Sequence, residues 1–227
     1  MVVKTNLETA FDSRWNELKI EGKNIPSRSN HAAAFFSSKL FIHGGYDVDK
    51  GIMSDFYSID ISEDSSAFEW KKLSSTIDGE PIKLKSHTGV VYKTYFVLFG
   101  GEVSSSESSN SIYIYDFVDE KWTKPTITNS QIIPKVDSHS SFIVDSKMYV
   151  YGGYIPDKAS YMKNIYCLDI NTMKWSTVFE SKNELQPQER SNLAMTIQGN
   201  SLWIFGGTNG QETLDDLWKF DLQLKKW

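Results

Sequence analysis

Tryptophan recurs in this chain at positions 15, 70, 122, 175 and 227, at intervals of 55, 52, 53 and 52 residues. A second marker keeps nearly the same period. The pairs Gly44-Gly45, Gly100-Gly101, Gly152-Gly153 and Gly206-Gly207 fall 56, 52 and 54 residues apart. Each pair closes an apolar run: Leu40-Phe41-Ile42-His43, Phe96-Val97-Leu98-Phe99, Met148-Tyr149-Val150-Tyr151 and Leu202-Trp203-Ile204-Phe205. After a polar stretch come Tyr57-Ser58-Ile59-Asp60, Tyr113-Ile114-Tyr115-Asp116, Tyr166-Cys167-Leu168-Asp169 and Trp218-Lys219-Phe220-Asp221, and each leads on to a tryptophan. Self-similarity at such a period means one supersecondary unit per repeat, which cannot bury its apolar faces alone and must stack on its neighbours.

The runs before Gly-Gly are apolar at consecutive rather than alternate positions, rich in β-branched and aromatic residues, and too short for helices. A strand reads this way when both of its faces are covered. The order of apolar run, Gly-Gly, aromatic-x-x-Asp and Trp resembles the kelch repeat over roughly residues 15 to 227. The resemblance implies an all-β protein, a kelch β-propeller in which each repeat makes one four-stranded blade. Four repeats are visible, and the family's usual ring size makes them part of a larger five- to seven-bladed ring.

On this reading residues 1–14 are an N-terminal lead, and 15–20 form an orphan outer strand that closes the ring by completing its last blade. Repeats follow over 26–80, 81–133, 134–186 and 187–227, the fourth without its outer strand. Ring closure by an outer strand removes an exposed strand edge. Alternatively, the four blades close on themselves, or two chains exchange outer strands in an eight-bladed ring. In the first repeat the tryptophan follows Asp60 by ten residues against six in the others, which places a loop insertion around Ser62 to Ser66.

Hydrophobic residues at 40% and aromatics at 14% suit a packed domain. A net charge of −5, with no basic run longer than two residues, argues against a nucleic-acid surface. No stretch approaches the length of a membrane span, and the N-terminus has no apolar leader. The single cysteine, Cys167, allows no disulfide within the chain, so a cytoplasmic or nuclear location is expected.

Most repeated residues have structural explanations. Gly44, Gly45, Gly100, Gly101, Gly152, Gly153, Gly206 and Gly207 suit tight turns, where positive φ is free of Cβ strain. Trp70, Trp122, Trp175 and Trp227 suit contacts between blades. Asp60, Asp116, Asp169 and Asp221 suit turn-stabilising carboxylates. His31, His87 and His139 hold one repeat position, a blade apart, and a metal site needs convergent ligands, so no metal and no cofactor is expected. His43 stands where other repeats carry Phe99, Tyr151 and Phe205, and reads as a packed ring. Cys167 has no histidine partner in the pattern and does not read as a nucleophile.

The loops that enter each inner strand and those that follow Gly-Gly fall on one rim. There Arg28, Lys85, Lys135 and Arg190 read as one cation per repeat, and Tyr46, Tyr154 and Tyr161 as aromatics available for contact. Arg and Tyr are common interface anchors. The expected function is a non-catalytic protein–protein interaction module that binds a protein or peptide, one of acidic character given the rim cations, through this rim, with self-association if the chain comprises only four repeats. The competing explanation for Arg28 and Arg190 is that they brace neighbouring loops. The loops resemble the kelch-only subtype. Alternatives that the family resemblance brings are a propeller enzyme of the mutarotase, metal-dependent oxidase or specifier type, and a ubiquitin-ligase substrate adaptor. Against the specifier type, no Glu-x-x-x-Asp-x-x-x-His motif occurs.

Overall fold

A computed structural model describes residues 18–62, 67–182 and 185–227. The expected lead at 1–14, Trp15 to Glu17 of the orphan strand, and residues 63–66 of the loop insertion lie outside the described residues. Each repeat folds into one antiparallel sheet whose strands follow in chain order from inner to outer. The first blade is Ala32–Phe36, Lys39–His43, Phe56–Asp60 and Phe68–Leu73. The second is Thr88–Tyr92, Tyr95–Phe99, Ile112–Asp116 and Lys121–Thr123. The third is Ser140–Val144, Lys147–Tyr151, Ile165–Asp169 and Lys174–Phe179. The fourth has three strands, Ala194–Gln198, Ser201–Thr208 and Thr213–Asp221.

The consecutive apolar runs are the second strands, and in the second blade Phe96, Val97, Leu98 and Phe99 are all fully buried. Both faces are covered because the inner strands stand side by side, first against second, second against third, third against fourth. One contact repeats at each seam. The residue before Gly-Gly packs on the outer tryptophan of the next blade: His43 on Trp122 at 5.2 Å, Phe99 on Trp175 at 5.1 Å and Tyr151 on Trp227 at 5.2 Å between ring centroids. Three apolar cores result, one per seam.

The turn carboxylates behave as their repeat position requires. Asp116 Oδ1 accepts from the Val118 N–H at 2.8 Å, Asp169 Oδ1 from Asn171 at 2.9 Å and Asp221 Oδ1 from Gln223 at 2.8 Å, closing the turn toward the outer strand. The glycine pairs are fixed by close approach as well as by φ. Gly153 has φ +97°, and a Cβ there would stand 2.5 Å from the Asp137 carbonyl oxygen, a backbone atom that cannot swing away. Gly153→Ala is therefore expected to cost about 1–3 kcal/mol, read as a lowered urea midpoint, whereas Gly79→Ala, which meets nothing within 4 Å, pays only for its φ of +86°.

The short strand Ile20–Glu21 lies at the outer edge of the first blade's sheet. It runs parallel to the first blade's outer strand, Ile20 opposite Phe68 and Glu21 opposite Glu69. Thr128, which follows the second blade's outer strand, pairs in parallel with Lys174 of the third blade in the same way. Ile20 and Glu21 thus pair with the first blade as the connector at Thr128 pairs with the third.

Candidate partner-binding rim

Short β-hairpins follow Gly-Gly in three repeats: Tyr46–Asp47 with Gly51–Ile52, Glu102–Ser104 with Glu107–Ser108, and Tyr154–Ile155 with Ser160–Tyr161. In the fourth repeat the second and third strands simply run on to Thr208 and Thr213. Each of these loops is bridged to the connector entering its own inner strand, at Ser29–Tyr46, Lys85–Glu102, Asp137–Tyr154 and Ser191–Thr208. A backbone ladder then ties the connectors of successive blades. Ser86 N–H donates to Asn30 O at 2.9 Å, Ser138 N–H to Ser86 O at 2.9 Å, and Asn192 N–H to Ser138 O at 2.8 Å. All four residues have φ between 53° and 54°. The rim is accordingly a scaffold of paired backbone with variable side chains set on it.

The bridges also fix which residues are equivalent, and this changes the reading of the cations. Lys85 shares its position with Ser29, Asp137 and Ser191, so Arg28 and Arg190 are matched by Leu84 and Val136, both buried. The four cations are not one per repeat at one place. Arg190 is fully buried. Its Nη1 and Nη2 donate to the two Asp216 oxygens at 2.5 and 2.9 Å, Nη1 also to Gly206 O at 3.0 Å, and Nε to Gln188 O at 2.9 Å. The Arg190 bond holds the Asp216 carboxyl below its usual range. Arg28 repeats the arrangement more loosely, donating to Gly44 O at 2.9 Å and Pro26 O at 3.2 Å with Asp55 at 3.8 Å. Both arginines brace loops, and their donors point at their own chain rather than at a ligand.

Lys85 pairs with Glu102 at 2.9 Å and lies over the Tyr46 ring at 4.7 Å. Lys135 reaches Glu107 at 2.6 Å on the exposed surface. Every cation singled out in the sequence has a carboxylate of its own, so these residues do not make a basic surface. Tyr154 and Tyr161 face each other across their hairpin at 5.4 Å, and both are half-buried.

Lys135 and Tyr161 do meet in one place. They line a groove of about 590 Å³ walled by Ile155, Lys163, Asn164 and Tyr166 of the third blade and closed by Glu189 from the next connector. A second hollow of about 370 Å³ shares Lys163 and Glu189 and continues to Gln188, Asn209 and Gln211 of the fourth blade. Lys163 and Glu189 form an ion pair at 3.0 Å between the two. The sequence marked both loops as variable but gave no sign that they join, because the pairing spans two repeats.

Two buried features stand apart from the rim. His43 and His87 meet across the first seam, Nδ1 to Nε2 at 3.1 Å, with His43 Nε2 against Ser75 Oγ at 3.2 Å. Comparing equivalent histidines misses this contact, since it joins the end of one blade's second strand to the start of the next blade's inner strand. Cys167 is buried, and burial pushes its thiol up to about 11, which leaves little thiolate at neutral pH. No group of three or more His, Cys, Asp or Glu side chains converges as a metal site among the described residues.

Comparison with known proteins decides the family. The model of the KLHDC2/KLHL20/DRC7 Kelch-repeats domain matches residues 2–182 and 86–227. The chain belongs to the kelch-repeat family. Kelch domain-containing protein 1 of Mus musculus is 26% identical over 94% of this chain and 57% of its own length. Kelch domain-containing protein 2 of Bos taurus is 27% identical over 98% of this chain and 58% of its own. This kelch chain thus spans somewhat over half the length of these relatives. The solved structure of YjhT superposes with a TM-score of 0.70 over 91% of this chain and 66% of that one, at 16% identity, which bears on the fold alone.

Proposed function

We propose that this kelch chain is a non-catalytic interaction module that seats a segment of a protein partner along the rim of its third and fourth blades. The observation that supports this most is the polar groove running from Lys135 and Tyr161 past the Lys163–Glu189 pair to Asn209 and Gln211. An open groove that carries amide, hydroxyl and charged groups beside Ile132, Ile155 and Met162 suits an extended peptide, which brings its own row of backbone donors and acceptors. Paired charges along the wall favour a partner of mixed charge. An acidic partner has less to gain, because Lys85, Lys135, Lys163 and Arg190 are each already neutralised by Glu102, Glu107, Glu189 and Asp216.

The test compares three proteins: the natural chain, a Tyr154→Ala/Tyr161→Ala variant on the groove rim, and Tyr92→Ala on the opposite rim. Partners enriched by the natural chain are identified and their affinities titrated. Loss of two aromatic anchors is expected to weaken binding by ~30-fold or more, with no change for Tyr92→Ala, affinities being titrated well below the thermal unfolding of each variant. Unaltered affinity for the double variant overturns the assignment of the rim.

A further inference from the structure

One place in the seams is filled between the first and second blades and hollow between the second and third. It lies on the rim opposite the groove, where the end of one blade's inner strand faces the turn after the next blade's third strand. Phe36 and Tyr92 hold the same position there, each the last residue of its inner strand to pair, with Lys39 and Tyr95. Phe117 and Ile170 hold the facing position, their backbone N–H groups donating at 2.8 Å to Thr94 O and Ser146 O. In the first seam Phe36 and Phe117 stack, with ring centroids 4.3 Å apart and planes 4° from parallel, and Phe117 also lies 4.7 Å from Phe41. The space that remains there is about 170 Å³. In the second seam Phe117 is replaced by Ile170, and Tyr115, opposite Trp122, is replaced by Leu168, opposite Trp175. Two rings are thereby lost, and the hollow between Tyr92, Tyr95, Ile114, Pro125, Ile170 and Met173 is about 600 Å³. Its polar groups are few. Asn171 Oδ1 accepts from Tyr92 Oη at 3.2 Å, which holds that ring at the mouth. Lys93 Nζ stands 5.0 Å from the centre of the same ring. Lys72, Lys85, Lys135 and Lys163 each have a carboxylate within 2.6 to 3.0 Å, but among the described residues Lys93 has none.

We propose that this cleft binds a small planar aromatic anion, whose ring takes the seat against Tyr92 that Phe117 takes against Phe36 and whose acid group meets Lys93. The neighbouring seam shows the shape that fills this place: a flat ring, stacked on the aromatic at the end of the inner strand. Parallel rings at such a separation gain beyond the area they bury. A hollow of this size, mostly apolar with a few polar groups at its mouth, is of the kind that takes a small molecule. Charge selects the anion. The first seam carries a carboxylate, Glu120, where the second has Met173, so the second seam has lost the group that would repel an acid and has an unpaired ammonium beside it. The site is separate from the peptide groove and stands or falls without it.

Naphthoate titrated into the nitrogen-labelled chain provides the test, followed by amide NMR. Saturable shifts are expected at Lys93, Thr94 and Asn171, with a Kd of about 1 mM or tighter. Naphthamide, which keeps the ring without the charge, and decalin carboxylate, which keeps the charge without the flat ring, are each expected to bind at least ~5-fold more weakly. Lys93→Gln is expected to weaken naphthoate by ~5-fold and to leave naphthamide unchanged. Ile170→Phe places the first seam's ring in the cleft and is expected to weaken both ligands by ~10-fold or more. Should that variant fail to fold, Met173→Glu installs the first seam's carboxylate at a half-buried site and is expected to weaken naphthoate by ~5-fold or more, but not naphthamide. The Tyr154→Ala/Tyr161→Ala variant is expected to bind naphthoate as the natural chain does. The absence of saturable shifts at those three amides up to about 10 mM naphthoate overturns the site. Full affinity in a folded Ile170→Phe, or decalin carboxylate bound as tightly as naphthoate, overturns it equally, and naphthamide bound as tightly overturns the preference for an anion.

Discussion

Acid is expected to unfold this protein steeply below pH 6.5 while leaving its stability level above it. Burial pulls the imidazoles of His43 and His139 from 6.5 down to about 3, and draws His87 well below its usual value for the same reason. At His43 the nearby Arg28 charge adds to the depression, while the Ile82 backbone bond and Asp55 oppose it. His87 faces the other three histidines, His43, His139 and His31, each of which disfavours its protonation. At His139 only the Phe99 backbone bond works in the opposite direction.

The sign follows from linkage. Between pH 3 and 6.5 the unfolded chain binds a proton at each of these sites that the folded chain refuses, so acid favours unfolding. Above 6.5 both states are neutral and the stability contributed is complete. Each histidine changes the folding equilibrium by about tenfold per pH unit in that window, and His43 and His139 together by about a hundredfold. Urea midpoints at pH 7, 6 and 5 measure the slope. His43→Phe, which restores the ring type of Phe99 and Phe205 at the equivalent position, is expected to reduce the proton uptake on unfolding by one. Midpoints that stay level from pH 7 to 5 show that the cluster is hydrated in the fold.

Trp175→Ala is the substitution expected to cost most outright, about 3–5 kcal/mol. The indole is fully buried in the seam between the second and third blades, 5.1 Å from Phe99 and within the cluster of Val97, Val150 and Leu168. A tryptophan buries about 150–250 Å², and in a seam built from rigid sheets the neighbours cannot collapse into the space it leaves. Its indole N–H has no protein acceptor, so Trp175→Phe loses volume but no hydrogen bond and is expected to recover more than half of the deficit. Denaturant unfolding of the three proteins measures this. Equal losses for Ala and Phe place the cost in the indole N–H instead of the packing. Because stability in stacked repeats is the sum of units and seams, the alanine variant is expected to divide unfolding into two steps.

Nearly all of the architecture was legible in the chain. Consecutive apolar runs such as Phe96 to Phe99 announced strands covered on both faces, and the carboxylates at Asp116, Asp169 and Asp221 announced the turns that follow. The site was far less legible. Arg28 and Arg190 looked like ligand-facing cations, but what decides the role of a guanidinium is its acceptors. Those of Arg190 are Gly206 and Asp216, 16 and 26 residues along the chain. The groove residues Lys163, Asn164 and Glu189 carry no repeat signature, since loops that differ between repeats have no pattern to be read against.

The sequence by itself determined that this chain forms radial blades and which rings sit at their seams. A period is a local property: every repeat carries its own strand pattern and turn residues, and each would form its sheet wherever it stood. Only the tertiary structure decided that His43 meets His87 and that Arg190 is sealed against Asp216. Those outcomes depend on what lies alongside, and two residues identical in pattern differ in energy once their neighbours differ.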